Sequence, residues 1–80
     1  MTNEFTRHAR NRMRRLRLTQ EEVTSIIASH EWHEEEEEGH KHIGWVRYQG
    51  EYLKVVYAIE GEVQVVITVG VRTRLPEGLR

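Results

Sequence analysis

His8, Arg12 and Arg15 stand at i, i+4 and i+7, so a helix carrying them presents all three along one stripe. An imidazole can take up or release a proton near neutral pH, and a guanidinium holds phosphate through its planar fork. Together they suit phosphodiester cleavage, with a base for the attacking hydroxyl and cations for the charged phosphorane. The same stripe also fits an ordinary solvated face. A second group, Arg47, Tyr48, Tyr52 and Lys54, interleaves aromatic and basic residues around Gln49-Gly50. Such a pattern can stack on unpaired bases and pair with phosphates, or simply pack across neighbouring strands.

His30, His33, His40 and His42 sit among many glutamates, a donor set suited to zinc and related ions. Strand alternation puts His40 and His42 on one face, with His33 across the turn. No fixed ligand spacing such as HExxH is present, so the expectation is a solvated acidic hairpin with no bound metal or other cofactor. No phosphate loop, dinucleotide fingerprint or nucleophilic Ser or Cys motif occurs either.

The elements that must position these groups follow from periodicity. Phe5, Ala9, Met13 and Leu16 recur at helical spacing, which predicts a helix over residues 5–18 with Thr6 as its N-cap. Thr19-Gln20-Glu21-Glu22 matches a capping box, so a second helix should run over about residues 20–29 with Val23, Ile26 and Ile27 inward. Residues 31–38 read as an exposed edge strand, whose charges discourage pairing with other chains. Residues 42–48, 52–59 and 63–71 alternate apolar and polar residues and read as strands.

Three-residue loops at Tyr48-Gln49-Gly50 and Ile59-Glu60-Gly61 would align the apolar rows, pairing Trp45 with Leu53, Tyr57 with Val63 and Val55 with Val65. The inner face is then Ile43, Trp45, Leu53, Val55, Tyr57, Val63, Val65, Ile67 and Val69. The outer face, with Val46, Tyr48, Tyr52, Lys54, Val56, Val66 and Thr68, is too apolar for a merely solvated surface. It would be a homodimer surface or the wall of a binding site. Residues 72–80 read as an irregular tail.

The chain has 80 residues, one small domain that buries roughly 60–65% of its unfolded surface. Cysteine is absent, which excludes disulfides and thiolate metal sites. No apolar run approaches a membrane span and no signal peptide is evident, so a cytoplasmic protein is expected. The net charge of −1 hides an asymmetry, because residues 1–18 carry six Arg against one Glu while residues 31–38 carry six Glu and no Lys or Arg. One end could meet phosphate, or the two could neutralise each other.

Phe5-Thr6-Arg7-His8-Ala9-Arg10-Asn11-Arg12-Met13 resembles the "S/T-x-H-A-x-x-R-M" opening of the domain of unknown function 4258 family. Leu18-Thr19-Gln20-Glu21-Glu22-Val23 is similar to that family's "I-S-x-E-D-V" second-helix start, and Leu53-Lys54-Val55-Val56-Tyr57 and Val66-Ile67-Thr68-Val69 resemble its last two strands. The resemblance covers about residues 5–71. It implies a RelE-like, barnase-like α+β fold, with two N-terminal helices packed on a four-stranded antiparallel sheet (ααββββ). It also implies a metal-independent endoribonuclease or toxin-like element that acts on RNA and meets an antitoxin-like protein. His8, Arg12 and Thr68 match the family's motif positions and become the catalytic candidates, with Arg15, Arg47, Tyr48, Tyr52 and Lys54 as RNA-binding candidates. The rival from another class is a non-enzymatic homodimeric interaction domain.

Overall fold

A computed structural model describes residues 2–35 and 40–79. Its elements run β1 (Thr2–Phe5), α1 (Arg7–Leu16), α2 (Gln20–Ala28), β2 (Trp32–Glu35), β3 (Lys41–Tyr48), β4 (Glu51–Glu60) and β5 (Val63–Arg72). The strands form one sheet in the order β1-β5-β4-β3-β2, antiparallel except for the parallel pair β1–β5. The expected four-stranded antiparallel sheet is therefore replaced by a five-stranded mixed one. The added strand is β1, which includes Phe5 despite its helical spacing to Ala9 and Met13. Phe5 pairs with Val66 and packs against the core from the sheet.

Thr6 is the residue that ends β1 and starts α1. Its hydroxyl accepts from the Ala9 amide (3.1 Å) and donates to the Ile67 carbonyl (2.7 Å), while its amide bonds the Val66 carbonyl (3.0 Å). One side chain thus caps the helix and ties it to β5. Thr6→Ala should lower the unfolding free energy by about 1–3 kcal/mol, the sum of a lost cap and a lost hydrogen bond, as read by urea denaturation. Thr6→Ser should recover most of it. The second helix begins with the expected capping box, in which Thr19 and Glu22 bond each other's amides at 3.0 and 3.1 Å.

Ala9 and Met13 of α1 and Val23 and Ile27 of α2 cover one sheet face through Leu53, Val55, Tyr57, Val66 and Val69. The register that produces this face differs from the expected one. Gln49 and Gly50 both have positive φ (49° and 81°), so the β3–β4 connection is a two-residue turn with Tyr48 opposite Glu51. Two-residue turns of this hand match strand twist. The turn places Val46 beside Leu53 and sends Trp45 to the other face, opposite Lys54.

At the next turn Gly61 (φ 61°) and Glu62 connect Glu60 to Val63, again two residues rather than three. That alone would put the wrong parity on β5. A β-bulge corrects it, since Tyr57 pairs with Val66 but Val56 pairs with Thr68, leaving Ile67 as the extra residue. Val66 consequently points into the core, where Val65 and Ile67 were expected, while Val69 is buried as expected.

The second sheet face carries Trp45, Lys54, Val56, Thr68 and Arg72 and is not bare. Thr73, Arg74 and Leu75 share a cleft with Trp32, Arg47 and Tyr52. Trp45, Val56 and Leu75 are all buried, although none belongs to the helix-side core. The residues after β5 thus return beside Trp32, Arg47 and Tyr52, and within the face Trp45 and Val56 are buried while Ile43, Tyr52 and Thr68 stay partly exposed. Of residues 31–38, Trp32–Glu35 form the edge strand β2, while 36–38 lie outside the described residues. Among the described residues, no helix is long and apolar enough to cross a membrane.

Candidate functional site

The expected site residues fall in three places. Lys54 and Thr68 form the first, joined by Arg72 and within the electrostatic reach of Arg12 on α1. Lys54 on β4 lies opposite Gly70 on β5, and Thr68 and Arg72 flank that glycine on the same face. A Cβ on Gly70 would stand 3.0 Å from Arg72 Nη1 and 3.7 Å from Lys54 Cε. The missing side chain is thus what leaves room for the two cations to lie together over the sheet. Arg72 is steadied by donating to its neighbour's carbonyl, Val71 O, at 2.9 Å.

Helix α1 contributes the third cation. It leaves β1 alongside β5 because Thr6 anchors its start at Ile67. From there the charge of Arg12 reaches Lys54. Burial and the neighbouring Arg72 hold the Lys54 ammonium below its usual pKa of 10.5, Glu34 opposes this, and Arg12 lowers it further. Glu34 is itself committed to Trp45, whose indole N–H donates to it at 2.8 Å. A base with a depressed folded-state pKa opposes folding most fully below that pKa and ceases to do so above the unfolded value of 10.5. At neutral pH these cations therefore sit together at a cost. His8 is exposed one helical turn before Arg12.

The second place holds Arg47 and Tyr52, paired across β3 and β4 on the same sheet face. The Arg47 guanidinium lies 5.8 Å from the Trp32 ring centroid and 3.9 Å from a Glu31 oxygen, and Tyr52 meets Trp32 edge-on at 5.7 Å. Tyr48 is not part of it. The two-residue turn puts Tyr48 on the helix side, with its hydroxyl toward Leu16 O at 3.5 Å. Arg15 lies in the third place, a groove shared with Arg17, Glu22, Tyr48 and Glu51, where two carboxylates balance the two guanidiniums. His8, Arg12 and Arg15 all lie exposed on α1.

Sequence reading missed Arg72 and Gly70. The period-two series Thr68, Gly70, Arg72 carries the signal, but β5 runs one residue beyond its expected end at Val71. The histidines also divide: His33 and His42 meet across β2 and β3, joined by His30 and Glu35, while His40 is exposed outside that group.

Residues 5–71 match the family model described as Domain of unknown function (DUF4258). No curated protein and no solved structure matches the chain.

Proposed function

The chain belongs to the DUF4258 family, and we propose that this member is an RNA-binding element that grips the phosphate backbone with Arg12, Lys54 and Arg72. The observation that carries the reading is geometric: Arg72 Nη1 and Lys54 Cε close over Gly70, 3.0 and 3.7 Å from where its Cβ would stand, and Arg12 adds its charge to the same ammonium. Three cations from three elements form a surface whose repulsion an anion relieves. A polymer fits better than a small anion because Arg47, Trp32 and Tyr52 continue the same sheet face, where an unpaired base can stack.

A placement of the family with RelE-like and barnase-like folds, whose members include metal-independent ribonucleases, would add a chemistry to this binding. In it His8 takes the proton of a 2′-hydroxyl as its oxygen bonds to phosphorus. The P–O5′ bond breaks, the leaving oxygen takes a proton from water, and the His8 imidazolium returns its proton to the hydroxide formed. Arg12 balances the charge gathering on the phosphorane, and Thr68 orients the phosphate. No step requires a metal.

The test is incubation of the full chain with several single-stranded RNAs in chelator, beside fluorescence anisotropy at low salt. Cleavage by the wild type should fall by about 10²–10⁴-fold in His8→Ala while binding persists. Binding without cleavage would leave the RNA-binding element and remove the enzyme. No binding at 50 mM salt or below, roughly the range where phosphate contacts are strongest, would remove both. An acidic, antitoxin-like protein would then be the better occupant of the same cations. A homodimeric interaction domain would instead require self-association in solution, which sedimentation reads directly.

A further inference from the structure

On the helix-covered face, away from Lys54 and Arg72, β2 and β3 bring two imidazoles and a carboxylate to one point. His33 Nε2 and His42 Nδ1 are 3.3 Å apart, and Glu35 Oε1 lies 3.5 Å from the first and 3.7 Å from the second. The strand register dictates this, because Glu35 pairs with His42 and His33 with Gly44, so all three side chains share a face. For a tetrahedral ion bound at about 2.0–2.1 Å, neighbouring ligand atoms stand about 3.3–3.4 Å apart. The observed triangle is close to one face of such a tetrahedron.

The protonation of the cluster can be followed from the backbone outward. His30 Nδ1 is 3.1 Å from Ile26 O, a group that can only accept, so the proton sits on His30 Nδ1. In neutral His30, Nε2 is then an acceptor, and it lies 3.0 Å from His33 Nδ1. His33 must donate there, which leaves the His33 Nε2 lone pair bare and directed at Glu35 and His42. The triangle thus holds two obligatory acceptors, His33 Nε2 and the Glu35 carboxylate. At neutral His42 it holds at most one proton to share between them. A cation satisfies all three corners at once.

Two further features fix the rings. Gly44 leaves space for His30, since a Cβ there would approach its Cγ and Nδ1 to 3.1 Å. Tyr57 stacks on His42 with centroids 5.3 Å apart and planes at 20°. Ligating imidazoles oriented through their second nitrogen are the usual outer support of metal centres.

We propose that His33, Glu35 and His42 bind a divalent transition ion of the zinc class, with His30 as a positioning residue and the fourth coordination position left open at the protein surface. The N₂O donor set favours such ions over magnesium or calcium, which prefer all-oxygen shells. Because the site and the Lys54 cluster occupy opposite faces of the sheet, this proposal and the RNA reading stand or fall separately.

The test titrates the chelator-stripped full chain with Co²⁺ as a spectroscopic probe, followed by displacement with Zn²⁺. One equivalent should bind with the visible absorption of a four- or five-coordinate ion. His33→Ala and His42→Ala should each weaken binding about 100-fold or more, and His30→Ala about 10–100-fold through loss of orientation alone. His40→Ala should leave affinity unchanged. Zn²⁺ should raise the melting temperature of wild type but not of the His33→Ala/His42→Ala double variant, whose fold is checked by circular dichroism. The proposal is overturned by absence of saturable binding, by wild-type affinity in both ligand variants, or by equal loss in His40→Ala.

Discussion

Leu53→Ala is expected to lower the unfolding free energy by about 2–5 kcal/mol, the range for deleting a fully buried leucine in a core that collapses only partly. Leu53 has no exposed surface and sits on the central strand between Val46 and Val71. A domain of this length has only about 4–12 kcal/mol in total, so the variant should melt about 8–40 °C lower and be partly unfolded at the weak end of that range. Ile59→Ala, at a site 43% exposed near the end of the same strand, should change stability by about 0.5 kcal/mol or less.

The companion pair Val66→Ala and Ile67→Ala tests the two-residue turn that sets the parity at the start of β5. Val66 is fully buried and Ile67 only half-buried, so truncating the smaller side chain should cost more, by about 1–2 kcal/mol. Equal costs, or the reverse order, would mean that β5 enters from a three-residue loop, with Ile67 rather than Val66 turned to the helices. Denaturant unfolding of the purified variants decides it.

The bulge also marks where the fold stops being legible in the sequence. Local signals are readable because neighbouring residues carry them: the Thr19/Glu22 capping box, the Thr6 cap, the buried Ala9 and Met13, and the charged edge strand at Trp32–Glu35. Register is not, because alternation on β4 and β5 is compatible with either loop length. The choice between loops depends on φ at Gln49 and on an extra residue at Ile67. β1 is hidden for a similar reason. Phe5 has helical spacing to Ala9, yet its partner is Val66, 61 residues away. Leu75 reads as part of a loose tail, and only the path of the returning chain reveals its burial beside the second face.

The candidate site is legible to a matching degree. Arg12, Lys54 and Thr68 stand out by residue type and motif, but their relation runs through Gly70 and Arg72, where the informative feature is an absent side chain. Arg47 and Tyr52 share the second face, whereas Tyr48 changes sides with the register. The histidines are visible as a group. What their spacing does not convey is the chain of ring nitrogens from Ile26 O to the His33–Glu35–His42 triangle.

Replacing Arg12, Lys54 and Arg72 together by glutamine should nearly abolish RNA binding at low salt while leaving the fold intact. Each phosphate neutralised on a single strand adds a salt slope of about −0.7, so removing three cations should flatten log K against log[salt] by about 2.1. If the three act through counterion release, the affinity loss is about 500-fold at 50 mM salt and about 30-fold at 200 mM. A non-ionic cause, such as a displaced aromatic ring, would lower affinity equally at both salts. Stability supplies the independent control. Because Lys54 is held below its normal pKa by burial and by neighbouring cations, removing the cluster relieves repulsion, and the triple variant should melt no lower than wild type at pH 7. That margin should shrink as the pH rises through the depressed Lys54 pKa, where wild type sheds the same charge by deprotonation. Loss of binding together with a lower melting temperature would show that the three cations are structural. Unchanged binding would place the RNA surface elsewhere.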